Sequence, residues 1–513
     1  MQNERPDPKT EVCIMAREAK KVVVIGSGPG GAGVAALLQA RGYRVTLLER
    51  NDFYGGKCWS FTKDGSVVDS GVHMFSMGAS GQHGDLNRLV GGDLEWFTAN
   101  PSEHLLLGGK YRVNLYQSLT DPRGGISNMR TNMRMAADRI SSLAGGGMGK
   151  ELEREVYRAS RRNTPLETLR AVAKIARLNP SYFAELDEIT LQEFMHRITD
   201  DWLPLQGIAA LSMLLTVVPY SEVSAGEFLW CFANAFRKHT LGVPRGGSRE
   251  IPGAFLRAFA RDGGELRLGC EVARIAVREG KVRGVETAEG EEIAADLVVS
   301  NAGIKRTLEM AGEEHFPAEY ASYVNGLKYS CAFITTKYGL DRRVVDLPAP
   351  SFFNIPAVDP DHMFDYIGDG GVPEDPFLFT PFPSEWDTYA APPGKQLIIC
   401  GVPGPIEVSG ENVAQCERIL DRAEERLLEI FPQIAPHIEW KMRTHIAHTA
   451  SITGKPTGEC IGLSQCVGQT GAHKPDPWTP VQDLWLVGAD AGARGVGTEQ
   501  ASGSAIYVAN LLA

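Results

Sequence analysis

Apolar residues near the start of the chain follow the pattern of one βαβ unit. The β-branched run at 21–25 is typical of a buried parallel strand. A glycine-rich turn is expected over 26–33, an amphipathic helix over 34–41 and a second strand over 43–49. This order predicts the first unit of a parallel sheet that is covered by helices.

The rest of the chain alternates between helical and strand patterns. Helical spacing runs through 129–177 and again through 208–236. Residues 346–405 are rich in Pro, Gly and aromatic residues, which indicates irregular, strand-rich structure. The end repeats the opening, with a strand over 483–488, a glycine-rich turn and a helix over 499–512. Between these segments, further strands are expected over 267–273, 272–277, 282–287 and 297–300.

Length and composition limit the classes of protein to consider. The chain has 513 residues, more than one core usually holds, so two or three domains are expected. The net charge of −11 argues against general nucleic-acid binding, because phosphate backbones favour basic surfaces. Nine scattered cysteines without a CxxC indicate a reducing compartment. Because no secretory signal is visible and the longest apolar run, 208–218, is too short to cross a bilayer, we expect a cytoplasmic protein.

One segment differs in charge from the acidic whole. Residues 129–177 contain eleven Lys and Arg against five Asp and Glu. A basic helical segment is usually a solvated face, but it can also lie against an anionic membrane. Both interpretations stay open, and the second predicts peripheral membrane contact.

The turn after the first strand carries a nucleotide-binding pattern. Its sequence is Gly26-Ser27-Gly28-Pro29-Gly30-Gly31, which fits GxGxxG between a strand and a helix. The first glycine permits a tight turn, the second lets the backbone approach a pyrophosphate, and the third lets helix and strand pack closely. Glu49, at the end of the second strand, is placed to accept hydrogen bonds from the adenosine ribose. The segment therefore predicts a dinucleotide site.

The residues that follow favour FAD over NAD. Gly55-Gly56-Lys57 and Asp69-Ser70-Gly71 come next along the chain. Together with GxGxxG and Glu49, they resemble the N-terminal pattern of the phytoene desaturase-like flavoproteins, within the larger group that includes amine oxidases and Rab GDP-dissociation inhibitors. Other segments are similar to later motifs of that family; they are 270–272, 295–302, 484–490, 495–497 and 502–503.

The resemblance implies an α/β fold (α+β overall) with a Rossmann-type FAD-binding domain of the amine oxidase and GDP-dissociation inhibitor-like group. That domain would be discontinuous, over 21–95, 240–320 and 455–513. A substrate-binding domain would comprise 96–239 and 321–454, and its helical part, 129–236, would include any membrane-contacting surface. The residues expected to bind FAD are Gly26, Gly28, Pro29, Gly30, Gly31, Glu49, Arg50, Gly56, Lys57, Gly71, Val272, Asn301, Gly488, Asp490, Gly495, Val496 and Gly497.

Departures from the family pattern fall near the expected flavin. Lys57 stands where Arg is common and gives a point charge in place of a planar fork. Ala493-Arg494 stands where the family usually has Pro-Gly, and Glu499 where small residues are common. These differences suggest chemistry other than that of a standard carotenoid desaturase.

Three residues are candidates for catalysis, each with a structural alternative. His73 follows Asp69-Ser-Gly71 and either acts as acid or base or hydrogen-bonds backbone. Glu499 is a base or polar anchor, or else it stabilises the start of the last helix. Arg494 contacts a phosphate, a flavin carbonyl or a substrate carboxylate, or lies at the surface. His445 and His448 lack a third ligand, so no metal is expected.

The resemblance implies an FAD enzyme that desaturates, saturates or isomerises carbon–carbon double bonds of a lipophilic, isoprenoid- or carotenoid-like substrate. No second GxGxxG follows a strand, so electrons are expected to pass to or from a quinone, oxygen or a carrier protein. An amine oxidase acting on a C–N bond is the enzymatic alternative. A prenyl-binding protein of the GDP-dissociation inhibitor type, without redox chemistry, is the alternative of another class.

Overall fold

The computed structural model describes residues 19–71, 74–117, 122–123, 182–200, 202–492 and 494–513. The basic segment 129–177 lies outside these residues. The described strands are β1 (Lys21–Ile25), β2 (Arg44–Leu48), β3 (Ser60–Lys63), β4 (Ser66–Asp69), β5 (Trp96–Thr98), β6 (Glu103–Leu107), β7 (Tyr111–Leu115), β8 (Gly242–Pro244), β9 (Glu265–Arg267), β10 (Val272–Arg278), β11 (Lys281–Thr287), β12 (Glu292–Ala294), β13 (Leu297–Ser300), β14 (Ala332–Leu340), β15 (Ser351–Ile355), β16 (Leu378–Pro381), β17 (Gln396–Gly404), β18 (Ile438–Thr444) and β19 (Leu484–Leu486).

The helices between them complete the element order of the described residues. They are α1 (Pro29–Ala40), α2 (Gln82–Val90), α3 (Leu191–His196), α4 (Trp202–Thr216), α5 (Ala225–Lys238), α6 (Glu250–Arg261), α7 (Ile304–Ala311), α8 (Ala318–Gly326), α9 (Pro383–Trp386), α10 (Gly410–Ile430), α11 (Ile446–Thr453) and α12 (Gly497–Leu511). Within the described ranges, none of these helices has the length and apolar character that crossing a bilayer requires.

A parallel sheet joins strands from distant parts of the chain in the order β19-β13-β1-β2-β9. Strand β1 is buried on both faces, as its continuous apolar run predicts. Val22 and Val24 face a core formed with α1, α6 and α12, whereas Val23 and Ile25 face a core formed with β10, β11 and α7. The predicted α/β fold is confirmed.

A second, seven-stranded sheet is built from residues 103–115 and 332–444 in the order β18-β14-β17-β16-β15-β6-β7. Its strands are antiparallel except where β15 pairs with β6. Along β15, Phe352 packs on the face covered by α10, and Phe353 packs on the face covered by α4 and α5. The strands of these two sheets fall within the boundaries predicted for the two domains, whereas β5 and β8 pair with each other across those boundaries. The boundaries remain a prediction.

Several predicted elements differ from the observed ones at their ends. The first helix begins at Pro29, inside the segment expected to be a turn, because Pro is favourable at the first helical position. The strand expected over 267–273 is instead divided between β9 and β10. The helical pattern over 208–236 is also divided, since α4 ends at Thr216 and α5 begins at Ala225.

Candidate active site

A cleft of about 310 Å³ runs from the carboxyl ends of the parallel strands to the seven-stranded sheet. The turn after β1 forms its first wall. Gly26 has a φ of +89°, which an L side chain rarely adopts, and Gly28 is the N-cap of α1. A Cβ atom at Gly31 would overlap the carbonyl oxygen of Gly26. This confirms the close approach of helix and strand that the sequence predicts. The start of α1 also lines the cleft, and the N–H groups at a helix start suit an anion.

Asn301 follows β13 and joins the two ends of the chain at this turn. Its N–H donates to the carbonyl oxygen of Ile25 at 2.8 Å. Its amide fills the space beside three glycines, because a Cβ would lie 2.9 Å from its Nδ2 at Gly28 and 2.7 Å from its Oδ1 at Gly30 or Gly488. Side chains at these positions would therefore separate the N-terminal turn from β19.

Glu49 lies at the end of β2 and is 5% exposed. Its Oε2 accepts the Ser27 N–H at 2.9 Å and the Ser27 hydroxyl at 2.6 Å, and its Oε1 accepts the Asn51 N–H at 3.0 Å. These bonds fix the carboxylate on the cleft wall, where its remaining acceptor sites suit ribose hydroxyls.

Arg50 and Val272 line the same end of the cleft. Arg50 Nε lies 3.9 Å from a carboxyl oxygen of Glu271, and a Cβ at Gly454 would overlap the Arg50 guanidinium. Val272 is 5% exposed and begins β10. Backbone, an apolar side chain and a planar guanidinium together suit an adenine ring.

Lys57 belongs to a group of buried charges. Its Nζ lies 3.0 Å from Oε1 of Glu459, and the same oxygen accepts a hydrogen bond from Lys455 Nζ at 2.9 Å. The other oxygen, Oε2, accepts the Thr457 hydroxyl at 2.6 Å. Burial opposes ionisation, but the two lysines hold the pKa of Glu459 down to about 2. Glu459 therefore remains charged and fixes Lys57, which lines the cleft. The position of Lys57 near the phosphates of FAD remains a prediction.

Asp490 also lies in this wall, 5% exposed, and connects two loops. Its Oδ2 accepts the Ile304 N–H at 3.1 Å, and its Oδ1 accepts the Leu463 N–H at 3.1 Å. Gly56 and Gly71 line the cleft as well. Gly56 has a φ of +55°, and a Cβ there would lie 3.7 Å from the Cα of Gly28.

The loop before α12 and the first turn of α12 contain residues with two different roles. Val496, Gly497 and Glu499 line the cleft. Gly495 instead donates its N–H to Glu227 at 2.8 Å. Arg494 pairs with Asp187 and, at 2.8 Å, with Glu227, and it is not among the residues that line the cleft. Its role toward FAD or substrate therefore remains a prediction, and its neighbour Ala493 lies outside the described residues.

Glu499 is the described carboxyl that is best placed for proton chemistry. It is 5% exposed; its Oε1 accepts the Met77 N–H at 2.8 Å, while its Oε2 has no hydrogen-bond partner. Burial raises the pKa of Glu499 to about 7, although the Met77 and Gly78 N–H groups oppose the rise. The group can therefore hold or release a proton near neutral pH. His73, the other candidate, lies outside the described residues.

Beyond Glu499 the cleft becomes apolar. Helix α4 ends at this wall, where Val217 has a φ of +50°, an uncommon conformation for a β-branched residue. The apolar lining residues are Met74, Phe75, Leu214, Leu215, Val217, Phe333, Phe379 and Ile461. They come from α4 and the seven-stranded sheet as well as from the first domain, so both predicted domains form the cleft.

No local sequence pattern identifies the partners of the predicted residues. Lys455, Glu459, Asp187 and Glu227 carry no motif, and a single buried charge leaves no periodic signal. Across the described part of the chain, no three His, Cys, Asp or Glu side chains converge as metal ligands would.

The cleft wall that begins at the turn after β1 fits FAD along its whole length. A glycine cradle without room for Cβ atoms, a helix start for the phosphates and a fixed carboxylate for the ribose follow one another in order. The apolar end of the cleft then adjoins Val496 and Gly497, where the family resemblance places the flavin ring.

Comparison with known proteins gives the same assignment. The family model described as flavin containing amine oxidoreductase matches residues 33–329. A phytoene desaturase of Fusarium fujikuroi is 25% identical over 75% of this chain, which covers 66% of that protein, just under two thirds. A zeta-carotene-forming phytoene desaturase of Myxococcus xanthus is 26% identical over 92% of this chain and 90% of its own length. The human all-trans-retinol 13,14-reductase is 24% identical over 92% of this chain and 82% of its own length.

Solved structures share the fold. An oxidoreductase from Methanosarcina mazei has a TM-score of 0.67 at 20% identity and covers 96% of this chain and 100% of its own. A putrescine oxidase bound to putrescine has a TM-score of 0.63 at 13% identity and covers 96% of this chain and 99% of its own.

The chain belongs to the flavin-containing amine oxidoreductase family. Within it, the chain is a phytoene desaturase-like FAD-dependent oxidoreductase, so the predicted family, cofactor and enzyme class are confirmed. This assignment sets aside the non-redox, prenyl-binding alternative.

Proposed function

We propose that this FAD enzyme acts on carbon–carbon bonds of a lipophilic, isoprenoid-like substrate. The observation that carries the proposal is the continuity of the cleft. The wall that suits FAD leads directly into a space lined by Leu214, Leu215, Phe333 and Phe379. Such a lining binds a long apolar molecule and gives a polar amine few partners.

The relatives support the same substrate class. Two of them are phytoene desaturases and a third is a retinol reductase, and all three names refer to isoprenoid compounds. Desaturation, saturation and isomerisation are all compatible with this cleft.

The protein would contribute position and proton control to the reaction. Bound FAD would take up or return a hydride. Leu214, Leu215 and the phenylalanines would hold the double bond in a dry space beside it. Glu499, with a pKa raised to about 7 by burial, is proposed to donate or accept the accompanying proton. His73 and Arg494 remain further proposed participants.

The test compares how lipids and an amine change the redox state of the bound flavin. Under anaerobic conditions, oxidised enzyme is mixed with phytoene or putrescine, and dithionite-reduced enzyme is mixed with all-trans-retinol. We expect flavin reduction by phytoene or reoxidation by retinol, with double bonds lost or gained in the recovered lipid by mass spectrometry. Flavin reduction by putrescine, with both lipids unchanged, would refute the proposal and favour the amine oxidase alternative.

We further propose that the enzyme works in the cytoplasm and contacts membranes peripherally. Support comes from the excess of basic residues in 129–177 and from the low water solubility of the substrates proposed. Co-sedimentation with anionic but not zwitterionic vesicles is the expected result, and equal recovery with both would contradict it. A quinone, oxygen or a carrier protein remains the proposed electron partner.

A further inference from the structure

Glu103 is a buried carboxyl outside the FAD site. It begins β6 and is 1% exposed, and neither of its carboxyl oxygens has a hydrogen-bond partner. Side chains alternate along a strand, so Glu103 shares a face with Leu105 and Leu107. Those two leucines pack in the core formed with α4 and α5, so the carboxyl faces these helices, of which α4 lines the apolar part of the cleft.

A small cavity of about 30 Å³ lies at this carboxyl. Besides Glu103, its polar lining residues are Ser102 and Gln117, and both are already bonded to backbone. The Gln117 amide donates to the Ala99 and Leu241 carbonyls at 2.9 Å and accepts the Leu241 N–H at 3.0 Å. The Ser102 hydroxyl donates to the Leu115 carbonyl at 3.4 Å. Among the described lining residues, Glu103 is thus the polar side chain without a bond.

The cavity adjoins the apolar end of the cleft. Met74, Leu214 and Leu215 line both spaces, so these side chains form the boundary between them. A chain-like molecule that lies along the cleft and passes this boundary would bring its end to Glu103. A volume of about 30 Å³ holds one water-sized group such as a hydroxyl.

The carboxyl is chemically suited to such a group. Burial raises the pKa of Glu103 well above its ordinary value, and the nearby Ser351 hydroxyl opposes part of the rise. The neutral acid can donate one hydrogen bond and accept others. Leaving it without a partner costs free energy that a bound hydroxyl would restore.

We propose that Glu103 is a specificity-determining residue that binds a hydroxyl group at the end of the apolar substrate. The inference rests on the proposed function and sharpens it, since the substrate is then an apolar chain with a polar end and not a pure hydrocarbon. The competing occupant is a water molecule, which would satisfy the carboxyl without selecting any substrate.

Two ligands that differ only in the terminal hydroxyl group test the role of Glu103 in the wild-type holoenzyme. All-trans-retinol and its analogue with a methyl group in place of the CH2OH group are titrated while the flavin spectrum is recorded. We expect the alcohol to bind at least about tenfold more tightly than the analogue, because the analogue leaves Glu103 unpaired. Glu103→Leu should bring the two affinities within about twofold, whereas Glu103→Gln, which keeps a donor and an acceptor, should retain most of the preference.

The possible results of this titration distinguish a failure of the Glu103 proposal from a failure of the proposed function. If wild-type enzyme binds both ligands equally and still changes the double bonds of either, a water occupies the cavity; the inference is then wrong and the function stands. If neither ligand perturbs the flavin while putrescine reduces it, the proposed function fails and the inference with it. An unchanged preference in Glu103→Leu would show that another group selects the alcohol, so that result also overturns the inference.

Discussion

At the scale of single residues, two buried glutamates show that surroundings set the charge of a carboxyl group. Glu459 has two lysines beside it, and they hold its pKa at about 2 against the effect of burial. Burial raises the pKa of Glu499 to about 7, although backbone N–H groups and, among the described residues, the Lys238 charge oppose the rise. The first is therefore a permanent anion, and the second changes protonation near neutral pH.

This difference predicts a pH-dependent stability for Glu499→Gln. The unfolded carboxyl releases its proton near 4.5, whereas the folded one keeps it to about 7, so wild-type stability falls as pH rises between these values. The amide does not ionise and escapes this loss. We expect the Tm of the variant, relative to wild type, to increase between about pH 4.5 and 7 and then level off. Scanning fluorimetry of the holoenzymes measures it.

The exposed Glu289→Gln is the control for that experiment, because it removes a carboxylate without changing a buried one. The Tm of this control should follow that of the wild type at every pH. If the curves of Glu499→Gln and wild type stay parallel across the range, the raised pKa of Glu499 is wrong, and its proposed part in proton transfer loses its basis.

At this scale, the sequence identified residues that lie in a motif but not those whose burial depends on tertiary packing. Glu49 and Asn301 could be placed because each occupies a fixed position in a motif next to a strand. Glu459, Asp187 and Glu103 could not. Asp187 pairs with Arg494 and Glu459 with Lys57, both far away along the chain, and Glu103 has no hydrogen-bond partner among the described residues. A carboxyl's burial depends on that tertiary packing and leaves no mark on local spacing.

At the scale of elements, helix α1 shows where local preference and packing disagree. Three glycines over 30–33 disfavour a helix, so the sequence predicted a turn there. The helix nevertheless begins at Pro29, since small residues let its first turn pack against the Gly26 carbonyl and the Asn301 amide. Close packing outweighs the roughly 1 kcal/mol that each glycine costs.

Alanine usually stabilises a helix relative to glycine, but Gly31→Ala is expected to destabilise this protein. Its Cβ would overlap the Gly26 carbonyl oxygen, so β1 and α1 must separate. We expect a loss of about 1–3 kcal/mol in the free energy of unfolding and a lower FAD content on purification. Gly410→Ala, at the start of α10, meets nothing within 4 Å and should change stability little. Full FAD content and an unchanged Tm for Gly31→Ala would contradict the close approach described.

At the scale of the whole molecule, the loop before α12 is bound to α5 and to the residues before α3. Arg494 and the Gly495 N–H both bind Glu227 at the start of α5, and Arg494 also pairs with Asp187. The two carboxylates are 3% and 0% exposed, so they depend on this guanidinium for compensation, with Lys474 at 3.9 Å from Glu227 as a further cation. The sequence predicted both domains, but no local pattern linked a C-terminal loop to residues about 270 and 310 positions earlier.

Arg494→Leu separates this fastening role from a direct catalytic one. Removing one partner of a buried ion pair leaves uncompensated charge, so we expect a loss of about 3–5 kcal/mol in the free energy of unfolding and faster release of FAD. Adding Asp187→Asn and Glu227→Gln removes the stranded charges and should recover much of the lost stability, a coupling that a mutant cycle measures. If Arg494 acts by holding the loop in place, activity per bound flavin should then recover with the stability. An unchanged Tm together with a large fall in activity per flavin would instead place Arg494 at the substrate.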